Sequence, residues 1–221
     1  MNVETISVNG KRFYLLNGRK YPSVTTILST IHHKELEEWR RRLGKRAEEL
    51  MRERAAIGSA IHYRILSKYS IRALEPPKVY TNKDLKEWLQ EVEYRCELAE
   101  IMWDELNLSI DDIPYIEHTM YSKHGFAGTA DLIGKINGID TLADIKTGFF
   151  FSTAKLQLAA YYIMCKESDI KVDRGLIINI HPFDDRNNSL KPKLMEIPVD
   201  ELISAGKEFL NLVTKFHRGE R

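Results

Sequence analysis

The sequence predicts an α/β protein: a central mixed β-sheet flanked by helices, behind a mainly helical N-terminal part. Three observations carry this. Two apolar-rich runs within residues 125–148 flank Asn137-Gly138, the dipeptide that favours a two-residue type I′ hairpin turn. From Ile113 onward the pattern reads strand, strand, strand, helix, strand, strand, helix. Ahead of it, residues 34–56 and 82–107 repeat apolar side chains every three or four positions, as helices with one buried face do.

The 221 residues, 43% hydrophobic and 29% charged, suit a single domain spanning 1–221, with 1–110 as the helical part and 111–221 as the α/β core. Residues 3–8 and 11–16 alternate around Asn9-Gly10 and predict a small opening hairpin, and Asn17-Gly18 marks a second turn. In the segment Tyr21 to Leu28, Pro22 keeps Tyr21 extended while Ser23 or Thr25 caps the helix amides that follow. Residues 34–56 hold eight Lys/Arg and six Asp/Glu around an apolar stripe of Leu36, Trp39, Leu43, Ala47 and Leu50. Most of those charges read as a solvated face. The bunched Arg40, Arg41, Arg42, Lys45 and Arg46 also offer an edge that can follow a phosphate backbone.

A further helical stretch starts at Gly58 and runs to about Tyr69, with His62 one turn after Gly58. A glycine inside a helix signals close approach of another backbone or a substrate. His62 is either a satisfied core histidine or a ligand. After the break at Glu75-Pro76-Pro77, the 82–107 helix is expected to bury Leu85, Trp88, Leu89, Val92, Leu98, Ile101 and Met102. A strand over 113–121 then turns through Lys123-His124-Gly125, and its Glu117 is either a further acid at a site or a surface residue. Residues 153–167 form a helix with Gln157 and Tyr161 on one face. Residues 173–181 and 193–198 form two strands around a loop at 185–188, and a terminal helix runs to about Phe216.

No apolar run approaches the 18 or more residues of a membrane span. The N-terminus, with Glu4 early, shows neither a signal nor a transit segment, so the expected location is cytoplasmic, with no membrane partner. At a net charge of +1, any nucleic-acid surface must be a local basic patch. Cys96 and Cys165 stand far apart, which excludes a disulfide framework or a four-cysteine cluster within the chain. Both read as buried small hydrophobes.

If Asn137 and Gly138 are the two loop residues, Ile136 faces Ile139, and counting back along both strands brings Asp131 opposite Asp144. Alternation puts Lys146 on the same face as Asp144. Directly opposed carboxylates repel, and a fold keeps them more readily with a divalent cation between them. Two acids and a lysine on one face are the layout of a metal-dependent phosphodiesterase. The competing reading is the solvated face of an ordinary hairpin.

Gly58…His62, Gly128-Thr129-Ala130-Asp131, Asp144-Ile145-Lys146-Thr147 and Gln157…Tyr161, in this order, resemble the PD-(D/E)xK nuclease superfamily, in its RecB-like branch. The segment Tyr21 to Leu28 followed by Leu36…Trp39-Arg40 is similar to the opening segment of the mitochondrial genome maintenance exonuclease and related phage exonucleases. The resemblance implies a restriction-endonuclease-like core, with the helices at 34–56 and 82–107 as candidates for an arch over the site. It implies that His62, Asp131, Asp144 and the backbone carbonyl of Ile145 bind metal. Lys146 would be the catalytic lysine, beside Asp131 and Asp144, and Gln157 and Tyr161 would orient the site or the substrate strand. The donor set suits Mg²⁺, with Mn²⁺ able to substitute. The two-cysteine chain looks like a member without an iron–sulfur cluster.

The expectation is therefore a divalent-metal-dependent deoxyribonuclease, an exonuclease on single-stranded DNA ends. Its rivals are a single-strand or structure-selective endonuclease, a non-catalytic nucleic-acid-binding replication or recombination module, and a scaffold whose hairpin acids are merely exposed. No Walker A loop is present, so a helicase or recombination protein would be a separate partner. Trp39, Tyr63 and Trp88 read either as base-stacking residues or as core.

Overall fold

A computed structural model describes residues 4–71, 73–76, 84–148, 153–183 and 191–219. The expected loop at 185–188 lies outside these residues, as do residue 3, Pro77 and positions 82–83.

Strands β1 (Glu4–Val8), β2 (Lys11–Leu16) and β3 (Arg19–Pro22) form an antiparallel sheet. Its two turns are Asn-Gly pairs with positive φ at both residues, 51° and 73° at Asn9-Gly10 and 48° and 75° at Asn17-Gly18. Type I′ turns require this backbone, and they match the twist of the flanking strands. Ser23 closes β3 and caps the short helix α1 (Val24–Leu28), its Oγ accepting from the Thr26 amide at 3.0 Å.

The expected helix over 34–56 is two helices, α2 (Lys34–Leu43) and α3 (Lys45–Ser67), broken at Gly44. Gly44 has φ 55° and ψ −133°, a backbone that only glycine adopts without strain. α3 then runs without interruption through Gly58 to Ser67. Helix α4 (Leu85–Glu105) buries Trp88, Arg95, Cys96, Ala99 and Trp103, whereas Leu85, Leu89 and Ile101 are exposed. The stripe sits on the other side of Trp88 from the one expected, because the cysteine, the alanine and an arginine pack inward. Arg95 is tolerated there because its guanidinium donates to Glu91 and to the Pro182 carbonyl.

The five-stranded sheet has the order β4 (Ile110–Ser122), β5 (Phe126–Ile136), β6 (Ile139–Lys146), β7 (Arg174–Asn179), β8 (Lys193–Pro198). All neighbours are antiparallel except β6 and β7, whose parallel pairing uses α5 (Thr153–Glu167) as crossover. Helix α6 (Val199–Arg218) closes the described chain. The sheet is mixed, as expected, and the hairpin register agrees with the expected one from Ile136–Ile139 through Leu132–Ala143.

The sheet separates two cores. One joins α1, α5 and α6 to Ile133, Leu142 and Ile177. The other joins α3 and α4 to Leu132, Ala143 and Ile178. Adjacent residues thus serve opposite layers, as the two-residue period of a strand requires. Phe209 is fully buried in the first core, edge-on to Phe126 at a centroid distance of 5.1 Å. Phe209→Ala is expected to cost about 3–5 kcal/mol of unfolding free energy, read as a lower urea midpoint.

Candidate metal centre

The β5–β6 ladder stops one residue short of Asp131 and Asp144. There a side chain takes over from the main chain: Asp131 Oδ2 accepts the amide of Ile145 at 2.7 Å. On the other side of β5, Ile116 pairs with Leu132 and His118 with Ala130, which sets Glu117 level with Asp131. Glu117, Asp131 and Asp144 therefore occupy one row across three adjacent strands. Glu117 itself has φ 47°. The other non-glycine residues with positive φ among those described are Asn9, Asn17, Asn107, Asn137 and Asp169, types that tolerate the left-handed region. Glutamate does not share that tolerance, so the backbone is strained at this acid, the kind of cost that clusters at functional sites.

Helix α3 brings His62 to the row, its Nδ1 3.6 Å from Asp131 Oδ2. One donor atom each from His62, Glu117 and Asp131 lie within 4.8 Å of one another, a group that could hold a metal ion. An octahedral Mg²⁺ site needs adjacent donors about 3.0 Å apart and opposite ones about 4.2 Å apart, so the three groups must draw closer to hold such an ion. Of the residues expected as ligands, His62 and Asp131 are thus joined by Glu117. Asp144 is engaged differently: its Oδ1 accepts from Gln157 Nε2 at 3.0 Å, and its Oδ2 lies 2.6 Å from Lys146 Nζ. That second oxygen is buried and has the Lys146 ammonium as its counter-ion, so a metal ion bound there must share it with the lysine. Ile145 enters through its amide.

Helix α5 supplies the other wall. Gln157 accepts from Lys146 Nζ at 2.9 Å through Oε1, while its Nε2 donates to both Asp144 and the Tyr161 hydroxyl, each at 3.0 Å. One amide therefore fixes the lysine and the carboxylate together. The approach of α5 depends on small residues in β5: a Cβ on Gly128 would lie 2.6 Å from Tyr161 Cε1. Gly58 plays the same part on α3, where a Cβ would lie 2.9 Å from Thr147 Oγ1. That is the close approach its place in a helix implied.

Burial dominates the electrostatics. It pushes the Asp144 carboxyl up to about 6, against the pull of the Lys146 ammonium. At Asp131 burial acts in the same direction, but the charge and hydrogen bond of His62, with the Ile145 amide and Lys146, hold the carboxyl below its usual value. Burial lowers His62, yet the charge and hydrogen bond of Asp131, with the charges of Asp144 and Glu117, together outweigh it and the imidazole is raised. Burial, then the neighbouring Asp144 and Asp131, drive the Tyr161 phenol well above its ordinary value, so it acts as a neutral hydroxyl.

All seven expected site residues, His62, Asp131, Asp144, Ile145, Lys146, Gln157 and Tyr161, line one cleft of about 920 Å³. Glu117, Arg12, Tyr14 and Arg54 line it too. Glu117 had a signal in the sequence, because extending the pairing back from the Lys123-His124-Gly125 turn already places it opposite Asp131. The two arginines had none, since one lies in a hairpin and the other among many charges on α3. Of the three candidate stacking residues only Tyr63 lines the cleft, and Trp88 is buried in the second core. None of Arg40, Arg41, Arg42, Lys45 and Arg46 lines it.

Fold and site together define a mixed α/β protein with a row of three acids, two of which join His62 in a group that could hold a metal ion. The sequence matches no protein-family profile. It matches no curated protein sequence. Among solved structures, one described as "Crystal structure of SSO0001" aligns over 75% of this chain and 74% of its own at 18% identity, with a TM-score of 0.34. A likeness at that level carries no argument.

A pH dependence follows for the metal-free protein. The folded state holds the Asp144 proton up to about pH 6, whereas an exposed aspartate loses it near 4, so folded molecules bind more protons between these values. Stability contributed at this position must therefore fall as pH rises from about 4 to 6. Thermal melting of wild type and Asp144→Asn in EDTA tests it: wild type should lose ground to the variant across that interval.

Proposed function

We propose that the chain is a divalent-metal-dependent deoxyribonuclease of the PD-(D/E)xK superfamily, RecB-like branch, acting as an exonuclease on single-stranded DNA ends. The observation that carries this reading is the row Glu117, Asp131, Asp144 with Lys146 beside it and His62 above it, inside an open cleft. The restriction-endonuclease-like core belongs to the same proposal, supported by the mixed sheet between two helical layers. So does the arch, which in this reading stands on α3, because α3 lines the cleft and no described residue of α4 does.

His62, Glu117, Asp131 and Asp144, with the Ile145 carbonyl, would hold Mg²⁺ or Mn²⁺. When bound, such an ion supplies Lewis acidity to the scissile phosphate and lowers the pKa of a coordinated water. The protein's own part is positioning. Lys146 places a cation at the carboxylate row, where it orients the attacking water or stabilises charge developing on the phosphoryl oxygens. Gln157 keeps the ammonium at that point and binds the Asp144 oxygen that the lysine does not. Tyr161 anchors Gln157 in turn. The overall chemistry adds water across one P–O bond, leaving a phosphate monoester on one fragment and a hydroxyl on the other.

The test is degradation of linear single-stranded DNA labelled at one end and then the other, with Mg²⁺, Mn²⁺ or EDTA, beside a circular single strand. Metal-dependent loss of the linear strand alone is expected, with Asp144→Ala inactive and Lys146→Ala reduced by about 10²–10³-fold. Cutting of the circle would replace the exonuclease by an endonuclease. Binding without cleavage in either metal would overturn catalysis.

A further inference from the structure

The cleft has a wall that the acidic row does not explain. Thr5, Arg12 and Tyr14 of the N-terminal sheet line it, as does Arg54 of α3. Thr5 faces Tyr14 across the β1–β2 ladder, and Arg12 shares their face two residues on.

This wall is fixed to the core. The Tyr14 hydroxyl bonds Thr129 Oγ1 at 3.0 Å, and Thr129 in turn bonds Thr119 Oγ1 at 2.9 Å. The Arg12 carbonyl accepts from the Ser23 amide at 3.0 Å and from Thr26 Oγ1 at 2.8 Å. Ser23 bridges to Ala127 on β5, two residues before Thr129. The backbone at Arg12 is thus held on three sides while its side chain remains exposed.

Both guanidiniums rest on aromatic rings, Arg12 5.6 Å from the Tyr14 centroid and Arg54 5.5 Å from that of Phe183. Among the described residues neither has a carboxylate partner. The other cationic groups lining the cleft are already committed, Lys146 to Asp144 and His62 to Asp131. A polyanion entering a cleft floored by three acids meets repulsion unless cations stand at its rim. Stacked guanidiniums suit this task, since the ring fixes the plane and leaves the N–H fork free for phosphate oxygens.

Resting on the nuclease reading, we infer that the N-terminal three-stranded sheet is a substrate-binding wall. Arg12 on this sheet and Arg54 on α3 are the positioning residues, each holding a backbone phosphate of a DNA single strand beside the acidic row. The bunched arginines of α2 and early α3 have no part in it.

The experiment measures binding of a fluorescein-labelled 20-nucleotide single strand by anisotropy in EDTA, where no metal-dependent cleavage occurs, over a range of NaCl concentrations. Wild type, Arg12→Ala, Arg54→Ala, the double alanine variant and the two Arg→Lys variants are compared, with thermal melting to show that each is folded. Each alanine should weaken binding several-fold and flatten the plot of log affinity against log salt by about 0.7, the contribution of one single-strand phosphate contact. The lysine variants should restore the slope. In the cleavage assay KM should rise with kcat retained, the signature of lost uniform binding. A folded double variant with wild-type affinity and slope would overturn the inference while leaving the nuclease reading intact. Failure of the wild-type protein to bind the strand would overturn both.

Discussion

Asp131 and Asp144 are buried side by side where the β5–β6 ladder ends, and removing two carboxylates from water costs several kcal/mol per ion unless partners replace the solvent. The partners come from three elements. The Ile145 amide lies on β6, His62 on α3, Lys146 at the end of β6, and Gln157 on α5. Helices from both sides of the sheet must therefore dock correctly for the acids to be tolerated at all. The raised Asp144 carboxyl shows that this compensation is incomplete. The residual imbalance is one of negative charge, the condition that an added cation relieves.

Close docking in turn depends on where side chains are missing. Gly128 admits the Tyr161 ring against β5, and Gly58 admits Thr147 against α3. Gly175 admits Leu158 of α5 and Leu202 of α6 against β7, where a Cβ would lie 2.7 Å from Leu158 Cδ2. An added methyl at Gly128 would displace Tyr161, which anchors the Gln157 that holds Lys146 and Asp144, and one at Gly58 would displace Thr147, next to Lys146 in the chain. Packing and chemistry are here the same constraint.

Much of this was legible in the residues. Asn137-Gly138 fixes the hairpin register because a type I′ turn allows no slack, and α5 occupies 153–167 as its periodicity demands. The four site motifs converge because they lie on elements whose order and turns are themselves strongly encoded. What was hidden had specific causes. The break at Gly44 was masked by an apolar stripe that continues across it, although a helix-ending glycine stood in plain view. The face of α4 was misread because leucines and an isoleucine outweigh Cys96, Ala99 and Arg95 in hydrophobicity but not in burial. The ladder's end before Asp131 is a tertiary effect, since a side chain replaces a main-chain acceptor. Arg12 and Arg54 come to line one cleft only through the docking of two elements about forty residues apart, which no local pattern records.

The backbone at Glu117 sets stability against the site. A glutamate at φ 47° costs about 1–2 kcal/mol relative to an ordinary strand conformation. Glycine would relieve that strain outright, and asparagine, which occupies four of the other left-handed positions, would relieve part of it. A search for thermostable variants, blind to chemistry, would therefore select replacements at this residue early and be rewarded for them. Each would delete the third acid of the row. A protein selected for robustness alone would drift away from the sequence found here and lose this carboxylate as it did.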